Sequence, residues 1–497
     1  MADSSTDELA AGFPGGAFRS HGVPAHLVLS ALLAGVVPPE INRPWRYLLV
    51  GIDDHRIPAL LAAAHPQAQV LAVDDDRDRL AAADRLIAGQ RITNLRLECL
   101  PLAALGDVRL PGAAYDMVAV PTLFARLGDA DRKALAHLLG RSVAPGGLVQ
   151  VAYPCLPGAA ALLSAQHLIR TAGPGAVVDE ERIDRAMALI ARLVRARAEA
   201  LAGNRWLAAS LRAWRAGRRR QLADLWLAAP WHAFYHWDVV RTLAAAGLNY
   251  AGPTVLSARA LAEPVAAVVR PFDDPAIDET LCDLLHGRML RSDLYVHGPL
   301  RLTADGQAAL LSQVRLAQVV TKAQALARLE KRLDGADAAA DLQPMLAALA
   351  ARPQPAATLT SLQPPGPARL PADRLLRLLV SSGVAQAIPP DDRRAASVPA
   401  TRINAASAHE AIEDNPTAPG LLVAGATGGL MAVDGIAHLA YLALVTGSGP
   451  FVDAVLPFVA RRLSRGGGRP PDMDALRDRL AAVLQDDLPV WRRLGMV

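Results

Sequence analysis

The sequence predicts an α/β chain, with a doubly wound parallel-sheet domain near its start and two α-rich regions after it. Three observations carry this reading. From about Arg46 to Tyr153, short apolar runs alternate with helix-period segments, the pattern of βαβ units whose strands are covered on both faces. From about Gly158 to Leu227 strand signals vanish and arginine- and alanine-rich amphipathic stretches, such as 182–201, take over. A proline-rich run, Pro353-Gln354-Pro355 through Pro364-Pro365-Gly366-Pro367, then precedes a second helical region reaching Val497, as a linker or long loop would.

Taken in order, Tyr47-Leu48-Leu49-Val50-Gly51 reads as a buried strand and Ile57 to Ala64 as the helix after it. Gln69 to Val73 is the second strand and ends in Asp74-Asp75-Asp76; Asn94 to Glu98 and Tyr115 to Val120 are the third and fourth. A helix over 130–139 and the turn Pro145-Gly146-Gly147 lead into a fifth strand, Leu148 to Tyr153. In such a sheet the ligand lies outside the carboxyl ends of the strands. That selects two places. Asp74, at the tip of strand two, sits where a carboxylate accepts hydrogen bonds from ribose hydroxyls, with a solvated acidic turn as the plainer alternative. The turn after strand one should be glycine-rich, because side chains there block a ligand from the backbone. It reads Gly51-Ile52-Asp53-Asp54-His55, with one glycine. Gly51 either admits a ligand or simply turns the chain, and Asp53 or Asp54 is suited to cap the next helix.

At 497 residues the chain exceeds one core, and two to four domains are expected. A net charge of +4 calls for neither nucleic acid nor an anionic membrane as partner. Cys99, Cys155 and Cys282 lack metal-ligand spacing, so no metal site or disulfide framework is expected. The start, Met1 to Glu8, is acidic where a signal peptide is basic, and no run approaches the roughly 18 apolar residues of a membrane span. A cytoplasmic protein is the expectation. Trp231, Phe234, Tyr235, Trp237 and Tyr250 concentrate aromatics in a chain that is otherwise only 4% aromatic, as a packed junction or a groove does. Arg218-Arg219-Arg220 reads as a solvated helix face, and no nucleophile-elbow or P-loop lysine motif is present.

In the order of its segments the chain resembles class I S-adenosylmethionine-dependent methyltransferases that carry a methyltransferase regulatory domain, a family that includes bacterial protein-lysine methyltransferases. Ser20-His21-Gly22-Val23-Pro24 is similar to the family's lead-in, and Leu49 to His55 lies where the family has Glu-Leu-Gly-Cys-Gly-Asp-Gly. Tyr115-Asp116 matches the opening of strand four, and Ala144-Pro145-Gly146-Gly147 with Tyr153-Pro154-Cys155-Leu156-Pro157-Gly158 resembles the family's Ala-Pro-Gly-Gly and Tyr-Asn-x-x-Pro-Gly. Phe234-Tyr235-His236 and Gly247-Leu248-Asn249-Tyr250 look like the regulatory domain's aromatic-His helix and Gly-Leu-x-Tyr strand.

The resemblance implies a Rossmann-like methyltransferase domain over 46–157 after a lead-in at 1–45. It also implies a regulatory domain over 158–297, a helical segment over 298–350, the linker at 351–371 and a C-terminal α-rich domain over 372–497. It implies S-adenosylmethionine as cofactor, bound around Gly51, Asp53, Asp74 and Tyr153, and a protein side chain, lysine in the bacterial members, as methyl acceptor. The partner is then a protein substrate or a paralogue. No residue stands out as the catalytic base. The departures fall on cofactor positions: Leu49 replaces the strand-one glutamate, Asp53 and His55 replace glycines, Pro101 the adenine-site aspartate and Pro154 an asparagine. The alternative they leave is a catalytically inactive methyltransferase-like protein acting as a regulatory or scaffold partner.

Overall fold

In the computed structural model the described residues are 22–101, 105–106, 108–112, 114–171, 180–201, 203–215, 222, 231–256, 274–333, 339–366, 369–390, 394–414, 419–465 and 472–497. Ser20, His21, Arg218-Arg219-Arg220 and Pro367 lie outside them.

The main sheet has seven strands: β1 (Trp45–Val50), β2 (Ala68–Asp74), β3 (Leu95–Cys99), β4 (Tyr115–Val120), β5 (Val143–Pro154), β6 (Leu248–Pro253) and β7 (Leu290–His297). Their spatial order is β3-β2-β1-β4-β5-β7-β6. β1 to β5 run parallel, whereas β7 lies antiparallel to both β5 and β6. The order reverses between β1 and β4, which opens a crevice at their carboxyl ends. Side-chain alternation builds a core on each face. Tyr47, Leu49, Val70, Ala72, Met117 and Ala119 face helices α1 (Pro24–Leu33), α2 (Arg56–Ala64) and α3 (Arg77–Ile87). Leu48, Val50, Leu71, Val118, Val149 and Val151 face the other way, toward α4 (Leu123–Arg126) and α5 (Asp129–Ser142). The Pro145-Gly146-Gly147 turn is taken up inside β5 as an irregularity: Tyr115 pairs Val143, and the ladder resumes at Met117 with Leu148.

Between β5 and β6 come α6 (Ala160–Thr171), α7 (Glu180–Arg195) and α8 (Arg205–Arg215), the helical segment expected from the loss of strand signals. Leu162, Ile183, Met187, Ile190, Trp206 and Trp231 form its core, which also takes in Ala125 of α4. The chain then crosses the carboxyl ends of β4 and β5. His232 N–H donates to Ala125 O at 2.8 Å, Phe234 N–H to Pro154 O at 3.0 Å, and Leu156 N–H to Phe234 O at 2.9 Å. The aromatic cluster is thus a packed junction roofing this edge of the sheet. Helices α9 (His236–Ala244) and α10 (Pro275–His286) flank β6, so 158–297 contributes two strands to the same sheet as 46–157.

The expected proline-rich linker is a correction. Gln354–Pro355 forms edge strand β9 beside β8 (Arg315–Gln318), which in turn pairs with β10 (Ala385–Ile388). Pro355 then starts the helix Ala356–Ser361, whose Ala356 and Leu359 are fully buried. Proline lacks an N–H but is at home on an edge strand and ahead of a helix, so a proline-rich composition does not by itself mean an extended tether. This small sheet and its helices bury Leu316, Met345, Leu346, Leu375 and Leu379 against the outer side of α1. The last region wraps helices around the hairpin β11 (Gly420–Val423) and β12 (Leu430–Val433). Its 21-residue helix Arg394–Asp414 puts Ala400 and Ile403 into the core that covers β1 and α2.

His438 marks this junction. Its ring is 1% exposed, both nitrogens lack a hydrogen-bond partner among the described residues, and a Cβ on Gly420 would fall 2.1 Å from its Nδ1. Burial first, and the Arg56 charge second, lower its pKa to about 4. The folded value lies below the unfolded one, so the unfolded chain binds the extra proton and stability falls as pH drops from about 6.5 to about 4. The contribution is on the order of 3 kcal/mol. Denaturant titrations at pH 7 and pH 4.5 should show His438→Gln losing less stability on acidification than the unsubstituted chain. Equal losses would contradict this account of His438.

Candidate functional site

The turn after β1 faces the crevice. Gly51 has φ +84°, and a Cβ there would meet Leu123 Cβ at 2.9 Å. Both the backbone conformation and the approach of α4 therefore require glycine. The Gly51 N–H donates to Val73 O at 2.9 Å, and the N–H of buried Ile52 donates to Asp74 Oδ2. Asp74 Oδ1 accepts from Asp76 N–H at 2.8 Å, and Arg79 Nη1 lies 3.2 Å from Oδ2. Asp74 thus ties the tip of β2 to the turn after β1 through Oδ2, while Oδ1 holds the turn that follows β2 itself. Asp76 caps α3 by accepting from the N–H groups of Asp78 and Arg79. Asp75 is left at the exposed tip, where desolvation and then the Asp74 charge raise its carboxyl.

Asp53 has turned into the crevice instead of capping α2. Its side chain is 8% exposed, and Oδ1 accepts the Thr122 hydroxyl and lies 3.5 Å from Arg126 Nη2. Oδ2 is buried with no hydrogen-bond partner among the described residues. Burial raises this carboxyl more than Arg126 and Thr122 lower it. An unpaired buried carboxylate oxygen is costly, and it points to a missing donor. The capping role falls to Asp54, whose Oδ1 accepts from Arg56 N–H at 3.0 Å and whose Oδ2 meets Arg56 Nη2 at 2.7 Å. Desolvation would raise Asp54, but the Arg56 hydrogen bonds and charge prevail and lower it. His55 leaves the crevice, its Nε2 lying 2.9 Å from Glu410 Oε2 on the helix Arg394–Asp414.

The structure gathers Gly51, Asp53 and Asp74 at one edge with Asp75, a member of the acidic run already read at the tip of strand two, and adds Thr122 and Arg126, which sequence reasoning had not named. Tyr153 is placed elsewhere. It is fully buried, and its hydroxyl donates to Asp293 Oδ2 at 2.5 Å and lies 2.9 Å from His236 Nδ1. Desolvation, with Asp293 second, raises its phenol well above the ordinary range. Tyr153, expected around the cofactor, instead lies in the core, where a carboxylate on β7 binds its hydroxyl.

That carboxylate belongs to a buried ion network around Arg291 of β7. The guanidinium meets Asp283 through Nη1 at 2.8 and 2.9 Å, Asp293 through Nε at 2.9 and 3.1 Å, and Glu279 and Tyr250 through Nη2 at 2.9 and 3.1 Å. Cys155 Sγ donates to Asp283 Oδ2 at 3.0 Å. Burial alone would raise Asp293, but Arg291 and then His236 more than offset it and hold the carboxyl well below its usual range. A signal for this was present in the sequence: Leu290-Arg291-Ser292-Asp293-Leu294 places two charges at alternate positions of an apolar strand, and buried charges occur in pairs.

Comparison with known proteins bears on both parts. The family described as predicted methyltransferase regulatory domain matches residues 221–297, the segment holding His236, Tyr250, Asp283, Arg291 and Asp293. PKMT2 from Rickettsia typhi has a similar structure, with a TM-score of 0.67 at 14% identity over 95% of this chain and 97% of that one. The same protein in complex with AdoHcy also gives 0.67, at 13% identity over 96% and 98%. An uncharacterized protein of Synechocystis sp. is 24% identical over 302 residues, 60% of this chain; the match spans 59% of that relative's length.

Removing the Arg291 charge strands two fully buried carboxylates. Arg291→Leu should cost about 3–5 kcal/mol of unfolding free energy by denaturant titration, as broken buried pairs do. A loss under about 1 kcal/mol would contradict the network's role. With the strand order 3-2-1-4-5-7-6 and these matches in hand, the chain has the class I methyltransferase fold, its last two strands supplied by the segment that matches the regulatory-domain family.

Proposed function

We propose that the chain is an S-adenosylmethionine-dependent methyltransferase acting on a protein side chain, with lysine as the acceptor. The observation that carries this is the pair formed by Asp53 and Arg126 at the carboxyl ends of β1 and β4, with one Asp53 oxygen buried and unpaired. An amino-acid zwitterion has the opposite arrangement: an ammonium for Asp53 and a carboxylate for Arg126. The methionine end of the cofactor is such a zwitterion, so the substitution of glycine by Asp53 is compatible with it. Thr122 holds the Asp53 carboxylate in place, and Asp75 offers an exposed carboxylate for the ribose hydroxyls, since Asp74 is spent on the turn.

When bound, the cofactor supplies an electrophilic methyl on a sulfonium centre. The chain's part is positioning and exclusion of water. Phe124 and Phe234, with ring centroids 5.5 Å apart and Arg132 4.7 Å above the Phe234 ring, close the edge where β4 and β5 end. The protein acceptor rests on the similarity to PKMT2 over nearly the whole of both chains. One observation favours the competing reading of a non-catalytic scaffold partner: Leu123 lies against Gly51 while Asp74 is fully engaged, leaving less open backbone than a glycine-rich turn.

Calorimetric titration separates the two readings. The purified chain should bind S-adenosylhomocysteine with micromolar affinity, and Asp53→Asn and Arg126→Ala should each weaken binding at least about ten-fold, the equivalent of 1.4 kcal/mol. Neither substitution should lower the melting midpoint enough to unfold the protein. Absence of heat at millimolar ligand with folded protein would leave the scaffold reading standing.

A further inference from the structure

The helical segment between β5 and β6 carries a feature that the cofactor crevice does not use. On α7, Arg185, Arg192 and Arg195 stand on the face opposite the buried Ile183, Met187 and Ile190. With Trp214 and Arg215 of α8 they line an open groove of about 740 Å³. Among the described residues, none that lines the groove is acidic. Arg185 lies 3.4 Å from Glu181, an exposed pair that contributes little, and Arg192, Arg195 and Arg215 have no carboxylate partner among the described residues. The Trp214 indole is fixed at one wall by donating to Asp184 Oδ1 at 2.6 Å.

We propose that this groove docks an acidic segment of a partner polypeptide. Four guanidiniums converging on one concavity repel each other unless an anion is shared between them, and arginine forks match carboxylates two bonds at a time. The volume suits a few side chains, not a duplex. A near-neutral chain with +4 net charge, and a groove with one aromatic wall, lack the extended basic track and stacking series that single-stranded nucleic acid uses. The location completes the argument: the same helical core contains Ala125 and Trp231, so the groove belongs to the unit that roofs the carboxyl ends of β4 and β5. A segment held there is anchored on the helical unit that borders the crevice. The inference extends the protein-methylation reading by giving the acceptor a docking site, yet it requires no cofactor.

The test is fluorescence anisotropy of the full chain with a fluorescein-labelled peptide of alternating glutamate and glycine, without cofactor and at low salt. Arg192→Glu with Arg195→Glu should weaken binding at least ten-fold. The control pair Arg402→Glu with Arg461→Glu, exposed on the C-terminal helices and equal in charge change, should leave affinity within two-fold. Equal loss in both pairs, no binding by the unsubstituted chain, or tighter binding of a single-stranded oligonucleotide of the same charge through the same arginines would each overturn the proposal. Because the assay omits S-adenosylmethionine, its outcome is independent of the calorimetric one.

Discussion

Arg291 is the constraint on which the rest of the architecture depends. A guanidinium with no exposed surface, facing Asp283, Asp293 and Glu279, is tolerable only if every partner stays in register. Its partners come from three elements: Glu279 and Asp283 from α10, Tyr250 from β6 and Asp293 from β7 itself. Tyr153 and Cys155 then join β5 to the same carboxylates. Because β5 pairs directly with β7, a slip of one residue would turn Arg291 and Asp293 to the opposite face and strand their partners. The network therefore ties the segment that matches the regulatory-domain family to the sheet formed by β1 to β5.

That register decides where the chemistry can sit. With β5 held by β7, β4 is held in turn, and the residues after it, Thr122 to Arg126, are delivered beside the turn after β1. The site's glycine is then shaped as much by Leu123 as by any ligand. Asp53 fits the same logic. A carboxylate in a glycine position is tolerated because Thr122 and Arg126 stand across from it, and the oxygen they leave unpaired suits a cationic guest. The C-terminal region reaches the crevice from behind: the helix carrying Ala400 and Ile403 packs on α2, and Glu410 draws His55 away from the turn.

Much of the fold was legible because strand burial leaves a plain mark. Tyr115–Val120 came out with the bounds read from the sequence, and the first, second and third strands within two residues of them, since each is an apolar run bounded by turn residues, whereas the fifth begins five residues early and takes in the expected turn. The proline-rich stretch misled, because composition reports what a residue cannot donate and not where the chain runs; Pro355 sits on an edge strand. Within the site, Gly51, Asp53 and Asp74 were readable from position along the chain. Their roles were not, since hydrogen-bond partners such as Ile52 N–H, Thr122 and Arg126 lie next to them only after folding. Tyr153 illustrates the same limit. Its carboxylate partner is 140 positions away in the chain.

The central claim is that the turn after β1 and the segment after β4 together receive the methionine end of S-adenosylmethionine. Hydrogen exchange of the full chain, with and without saturating S-adenosylhomocysteine, tests it directly. The account predicts slower exchange at the amides of Ile52 to Asp54 and of Thr122 to Arg126, with β7 unchanged because Arg291 already holds it closed. Unchanged exchange in both segments, or protection confined to a different edge of the sheet, would contradict it.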